Sequence, residues 1–157
     1  MNKILDAYLR QLEDITFNEI WLDETFAKKF NQLSEENAFK NPLPGVHTVA
    51  EITSHLIEWR VSVLSILMGG NRTISIESPN NWKTSAQLQP AGWKALEQQF
   101  YASQQQLIDF LKTKDDQYLA QESSDGENNN AYYVEGQIHH DLYHLGQIGL
   151  VIKMLQQ

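Results

Sequence analysis

Four segments of the chain carry apolar residues at the three-to-four-residue spacing of a helix buried on one face, and none alternates as a strand does. They run from about Lys3 to Gln32, from Thr48 to about Met68, from Pro90 to about Lys114, and from about Ala131 to Leu155. Stretches rich in Pro, Gly, Asn and Ser separate them. The pattern predicts an all-α protein built as a four-helix bundle.

The second segment has the best-defined ends. Thr48 and Glu51 have the spacing of a capping box, in which a hydroxyl and a carboxylate bind unpaired amides at the start of a helix. Gly69 and Gly70 favour a left-handed stop at its other end. The apolar side chains between these ends fall on one helical face, which we expect to face the core: Ile52, Leu56, Trp59, Val63 and Ile66.

The other boundaries are marked less clearly. The apolar stripe of the first segment drifts near Asp14 to Asn18, and Pro90 suits the first turn of the third helix. The connection from Gly69 to Gln89 has the length of a crossover along a bundle, so we expect the second and third helices to run roughly parallel. The chain length predicts one domain spanning residues 1–157.

The second half of the fourth segment is apolar nearly all round its axis. Such a helix is expected to be covered on nearly all sides. Gly146 and Gly149 lower its helix propensity, and close approach of a neighbouring helix backbone would explain them.

Composition excludes several classes of protein. The chain has no cysteine, which rules out disulfides, thiolate metal sites and cysteine nucleophiles. A net charge of -8 and a pI near 5.0 oppose the basic surface that nucleic-acid binding requires. The amino terminus has no signal-peptide pattern, and no apolar run is long enough to span a membrane. We therefore expect a cytoplasmic protein with neither nucleic-acid nor membrane partners.

The histidines are the candidate chemistry. His140 and His144 lie four residues apart on a helical face that becomes apolar towards the carboxyl end. His55 lies in the apolar stripe of the second segment. Burying three imidazoles without hydrogen-bond partners or ligands would lower the stability of the fold, and binding a shared cation would offset that loss. His47 and His139 are expected to be structural or solvent-facing.

A second interpretation stays open for each histidine. Any one of them alone is more often a hydrogen-bonded core residue, or an exposed one, than a metal ligand. For the set of three, spacing and burial favour a metal ion. Three histidine ligands leave a coordination position open for water or substrate, as in catalytic zinc sites.

Two stretches resemble the DinB-like (YfiT-related) family. The sequence from His140 to Ile148, HDLYHLGQI, is similar to the metal motif near the carboxyl end of these proteins. The sequence from Thr48 to Leu56, TVAEITSHL, is similar to the motif in their second helix. The resemblance implies a four-helix bundle in which one metal ligand comes from helix two and two come from helix four. The matching positions here are His55, His140 and His144.

The resemblance also implies an activity. Members bind nickel or zinc, often dimerise, and include S-transferases that use low-molecular-weight thiols. We therefore expect a divalent metal ion, zinc or nickel, and a homodimer. We expect the activity to be that of a thiol-dependent S-transferase, or of a related metal-dependent transferase or hydrolase, on a small molecule. A non-catalytic, metal-dependent small-molecule binding or stress-response protein is the alternative. Three further residues are candidates for lining the pocket or orienting a ligand: Trp59, Tyr143 and Gln147.

Overall fold

The computed structural model describes residues 2–18 and 20–156. Over these residues the secondary structure is helical, apart from one isolated β-bridge between Glu122 and Asn129. The all-α prediction is confirmed. Eight helices follow one another along the described chain: α1 Lys3–Thr16, α2 Phe26–Phe30, α3 Glu35–Ala38, α4 Val49–Leu67, α5 Ser85–Leu88, α6 Trp93–Leu111, α7 Asp116–Ala120 and α8 Asn130–Leu155.

The four long helices pack side by side around a common core. Helix α4 packs against α6 and α8, and α1 packs against the same two helices. The buried apolar side chains form one contiguous cluster, in which the rings of Phe30 and Phe100 pack edge-on. Because α4 and α8 are direct neighbours, side chains on their facing sides can meet. No helix in the described part of the chain has both the length and the apolarity needed to cross a membrane.

Helix α4 begins and ends where its sequence signals predict. The amide of Glu51 donates to the Thr48 hydroxyl at 3.1 Å, and the Thr48 amide donates to the Glu51 carboxylate at 3.3 Å, which confirms the capping box. The helix ends before Gly69, whose φ of +87° lies in the left-handed region. The other carboxylate oxygen of Glu51 accepts a hydrogen bond from the Ser85 amide at 2.8 Å. The cap therefore also holds the connection that leads to α6.

The first predicted helix is interrupted, so its extension to Gln32 was wrong. Helix α1 ends at Thr16, and α2 begins at Phe26 after a turn. The Thr25 hydroxyl caps α2 by accepting a hydrogen bond from the Lys28 amide at 3.1 Å. The break coincides with the drift in the apolar stripe, because a single straight helix could not direct both halves of the stripe at the core.

The third long helix begins three residues later than Pro90, so the prediction of a proline in its first turn was also wrong. Gly92 adopts a φ of +84° at the start of α6. The first amide of the helix, on Trp93, donates to both carboxylate oxygens of Glu35 at 2.9 and 3.1 Å. A distant acidic side chain thus caps this helix. The parallel arrangement of α4 and α6 stays a prediction.

Helix α8 matches its predicted range, but it is not covered on nearly all sides as predicted. The side chains of Tyr143 and Leu150 are 64% and 55% exposed. A Cβ built at Gly146 would meet no described atom within 4 Å, and one at Gly149 would meet the Lys29 side chain at 3.3 Å. The expected close approach of a helix backbone is therefore wrong. The glycines instead border a surface groove beside Lys29.

Candidate metal centre

The structure brings the three predicted histidines together. His55 comes from α4, and His140 and His144 come from successive turns of α8. One ring nitrogen of each lies within 4.8 Å of one from each of the others. The Nε2 atoms of His55 and His140 are 3.0 Å apart. No other group of three or more His, Asp or Glu side chains in residues 2–18 and 20–156 has this geometry.

The orientation of His55 is set from outside its own helix. Its Nδ1 lies 2.9 Å from the backbone carbonyl oxygen of Asn81. Because a carbonyl oxygen can only accept, this contact places the proton on Nδ1 and leaves the Nε2 lone pair facing the other two histidines. Histidines that bind metals typically have such a partner on the far nitrogen.

His144 is oriented in a similar way by its own helix. Its Nδ1 lies 2.6 Å from Oε1 of Gln147, one turn further along α8. With the amide oxygen as acceptor, Nδ1 carries the proton and Nε2 is free to act as a ligand. This contact is the one that a residue orienting the imidazole would make, and the role of Gln147 stays a prediction.

The connection between α4 and α6 covers His55. The ring of Trp82 stacks on His55 with ring centres 4.0 Å apart and on His47 with ring centres 3.8 Å apart, nearly parallel in both cases. The Nδ1 atom of His47 lies 2.9 Å from the Glu51 carboxylate. His47 therefore has a structural contact outside the three-histidine group, as predicted.

Asn81 is a site residue that the sequence pattern did not reveal. Besides accepting from His55 through its carbonyl, it accepts a hydrogen bond from Nε1 of Trp59 at 2.8 Å through Oδ1. Its side-chain amide donates to the Ile76 carbonyl at 2.9 Å. The signal available in the sequence was the adjacent Trp82, the one aromatic residue in this connection.

Burial keeps the three imidazoles neutral near pH 7. It lowers the pKa of His140 to about 3, aided by the neighbouring His144, His55 and Arg60. It lowers the pKa of His144 to about 4, aided by His55, and it also lowers the pKa of His55. Neutral imidazole is the form that binds metal ions.

A buried ion pair lies beside the histidines and was also missed from the sequence. Arg60 donates to Asp141 at 2.9 Å and to the Ser103 hydroxyl at 2.9 Å, so it joins α4, α6 and α8. Gln137 donates to the same oxygen of Asp141 at 2.8 Å. Both charged side chains are fully buried. Each of these two helices carries two further charged residues, so charge alone did not distinguish the pair in the sequence.

The remaining candidates occupy different positions. Trp59 lines a cavity of about 240 Å³ beside His140. Tyr143 does not line this cavity; it is exposed and its ring packs edge-on against that of His144. His139 is exposed, as predicted. A larger groove, of about 340 Å³, runs past Trp21 and Leu142 and includes none of the three histidines.

The chemistry of the donor set fits a divalent metal ion. Three neutral imidazole nitrogens converge, two of them with the far nitrogen already hydrogen-bonded. Imidazole suits zinc, nickel, copper and iron, whereas calcium and magnesium prefer oxygen ligands. Three protein ligands would leave a fourth position for a small molecule, unlike a closed structural site.

Comparison with known proteins identifies the family. Among curated protein sequences, none is significantly similar to this chain. The family model described as the DinB superfamily matches residues 21–148, which include all three histidines, Asn81 and the Arg60–Asp141 pair. The matched region covers most of the chain and extends from the turn before α2 into α8. The chain therefore belongs to the DinB superfamily.

Proposed function

We propose that this protein binds one divalent metal ion, zinc or nickel, through His55, His140 and His144, and is a thiol-dependent S-transferase acting on a small molecule. The observation that carries the proposal is the convergence of three imidazoles, each with one ring nitrogen within 4.8 Å of a ring nitrogen of both others. Membership of the DinB superfamily supports it. We propose the cytoplasm as its place of action, because low-molecular-weight thiols are kept reduced there.

The transfer replaces a leaving group on carbon by sulfur. The S–H bond of the thiol breaks and its proton passes to solvent, a C–S bond forms from the sulfur electron pair, and the leaving group departs with its bonding electrons. A divalent ion with an open position favours the deprotonated form of a thiol or water that binds there. The thiol must be an added substrate, because the chain has no cysteine.

The residues of the chain favour thiol transfer over hydrolysis. Water attack is helped by a general base within hydrogen-bond reach. In the described part of the chain, the residues that meet at the centre are all histidines, with no carboxylate among them that could act as a base. The nearby Asp141 is fully buried and is bound to Arg60 and Gln137. A thiolate needs no further base once it has formed.

The first experiment measures metal content by elemental analysis of tag-free protein. We expect near-stoichiometric metal in the wild type and in His139→Ala, a matched control whose exposed histidine adjoins His140. The triple alanine variant of His55, His140 and His144 should contain none. A wild-type protein that takes up neither zinc nor nickel after incubation would refute the metal site.

The second experiment measures turnover of metal-loaded protein. Glutathione and free cysteine are each offered with benzyl chloride, and the thioether formed is measured by mass spectrometry. We expect conjugation well above the uncatalysed rate, and its loss in the triple alanine variant. Conjugation that is equal in the two proteins would refute the transferase proposal for this electrophile.

A non-catalytic binder is the second candidate, supported by the cavity beside His140. It predicts metal-dependent, saturable binding of a small molecule without product formation. Calorimetric titration of the same thiols, run beside the turnover assay, separates the two candidates.

We also propose a homodimer. Trp21, which is 98% exposed, and Leu22 line a groove together with Leu142 of α8, and Tyr143 and Leu150 of the same helix are also exposed. Exposed apolar patches commonly mark protein interfaces. Light scattering should give twice the chain mass for the wild type, and the charged variants Trp21→Glu and Leu150→Glu should shift the mass towards the monomer. A monomeric wild type would refute this proposal.

A further inference from the structure

The cavity beside the three-histidine group lies between α4 and α8. His140, which is less buried than His55 and His144, forms part of its wall. A molecule in this cavity therefore contacts a residue of the candidate metal centre directly. The surrounding walls are mainly apolar or aromatic and include Trp59, Val63, Ile66 and Tyr132.

The charge at the edge of the cavity does not favour an anion. Arg72 is the residue on the cavity wall with a permanent positive charge, and its guanidinium donates to Asp125 and to Glu127, both at 3.1 Å. The same nitrogen donates to the Tyr133 hydroxyl at 3.2 Å. Two carboxylates around one guanidinium leave a local excess of negative charge. A carboxylate or phosphate entering here would be repelled by this excess negative charge.

The size of the cavity limits its occupant to a small molecule. A volume of about 240 Å³ is below the range of roughly 300–1,000 Å³ typical of drug-sized ligands. An apolar protein cavity of roughly 150 Å³ holds benzene. The space here fits one aromatic ring with a short substituent.

We infer that this cavity binds the electrophilic substrate, and that the substrate is an uncharged molecule built on one aromatic or similarly sized apolar group. The inference rests on the proposed function for the identity of the reaction. The cavity itself can be tested apart from that reaction, because an unreactive ligand of the same shape binds without turnover.

Gly136 provides a way to fill the cavity without changing a histidine. It lies on the cavity wall one turn before His140, and a Cβ built on it would meet no described atom within 4 Å. A leucine at this position extends a side chain from the wall while the helix is retained. Gly146, on the same helix, is equally unobstructed and lies outside the cavity. Gly146→Leu is therefore the matched control.

The experiment titrates benzyl alcohol into protein from which metal has been removed with a chelator, and follows ligand binding by NMR. Benzoate is the anionic analogue, and without the ion it cannot bind as a metal ligand. We expect benzyl alcohol to bind at least ten-fold more tightly than benzoate. Gly136→Leu should weaken benzyl alcohol binding at least ten-fold, and Gly146→Leu should leave it unchanged. Melting temperatures, and metal content before the chelator is added, are measured on all three proteins to show that the fold and the centre are intact.

Two results would overturn the inference. One is binding of benzoate that equals or exceeds that of benzyl alcohol, which would assign the cavity to an anion. The other is unchanged binding of benzyl alcohol in Gly136→Leu, which would place the ligand elsewhere. Failure of the proposed function gives a different result. A protein that neither takes up metal nor shows turnover would refute the proposed function, but if it still bound benzyl alcohol in this cavity the inferred binding site would stand.

Discussion

The carbonyl oxygen of Asn81 lies 2.9 Å from Nδ1 of His55, although the two residues are 26 positions apart in the chain. The side chain of Asn81 also accepts a hydrogen bond from Trp59, one turn beyond His55 on α4. One loop residue therefore orients a candidate ligand and a residue of the cavity wall. This contact connects the loop between α4 and α6 to the chemistry of the centre.

Replacing Asn81 with alanine tests this connection. Asn81→Ala keeps the carbonyl but removes the side-chain bonds to Trp59 and Ile76, so the carbonyl is held less firmly. We expect the affinity for zinc to fall about 10- to 100-fold, the range typical for loss of a partner that orients a ligand. Competition with a chromophoric chelator measures this affinity. The control is Asn80→Ala at the adjacent exposed position, and equal affinities in the two variants would contradict the assigned role.

Gln147 should act through the ring of His144. Gln147→Met removes the acceptor at 2.6 Å from Nδ1, and we expect zinc affinity to fall about 10-fold or more. Gln147→Glu keeps an acceptor, so it should retain the affinity of the wild type or exceed it. The same chelator assay compares the two. If Gln147→Glu loses as much affinity as Gln147→Met, the contact has no orienting role.

The buried pair of Arg60 and Asp141 should show strong coupling. Asp141→Ala leaves a buried guanidinium without its carboxylate, and we expect the free energy of unfolding to fall by about 3–5 kcal/mol. Adding Arg60→Met removes the unpaired charge and should restore part of that loss. Urea unfolding with a chelator present measures both variants without a contribution from metal binding. A double variant that is less stable than Asp141→Ala would contradict this account.

Asp125 predicts a specific dependence of stability on pH. Partial burial raises its pKa, but hydrogen bonds from Ser123 and Tyr133, with further help from Arg72, lower it to about 2. Its unfolded value is about 3.9. A lowered pKa stabilises the folded state fully above the unfolded value, and this stability is lost as the pH falls towards about 2.

The test compares the wild type with Asp125→Asn. We expect the difference in their free energies of unfolding to be constant above about pH 5 and to shrink between about pH 4 and pH 2. Urea unfolding at a series of pH values provides the measurement. A difference that stays the same down to pH 2 would show that Asp125 does not titrate in this way.

Local signals explain the parts of the fold that the sequence predicted correctly. The capping box at Thr48 and the regular stripe after it place α4, and the long apolar run places α8. The first helix was extended too far because its stripe changes direction without a strong breaker near Thr16. The start of α6 was misplaced because its cap comes from Glu35, which is 58 positions away from Trp93.

By itself the sequence determined the helical class and the three histidines that meet. His140 and His144 share a helical face through a four-residue spacing, and His55 lies in the buried stripe of its helix. This periodicity, together with the resemblance to the DinB-like family, predicted the set of three. The tertiary structure alone decided how these rings are held and what lies beside them. Segments that are far apart in the chain meet in the contacts of Asn81 and Trp82, in the Arg60–Asp141 pair and in the cavity wall. Sequence periodicity does not reveal such contacts, because only the packing of the helices and the path of the loop bring these segments together.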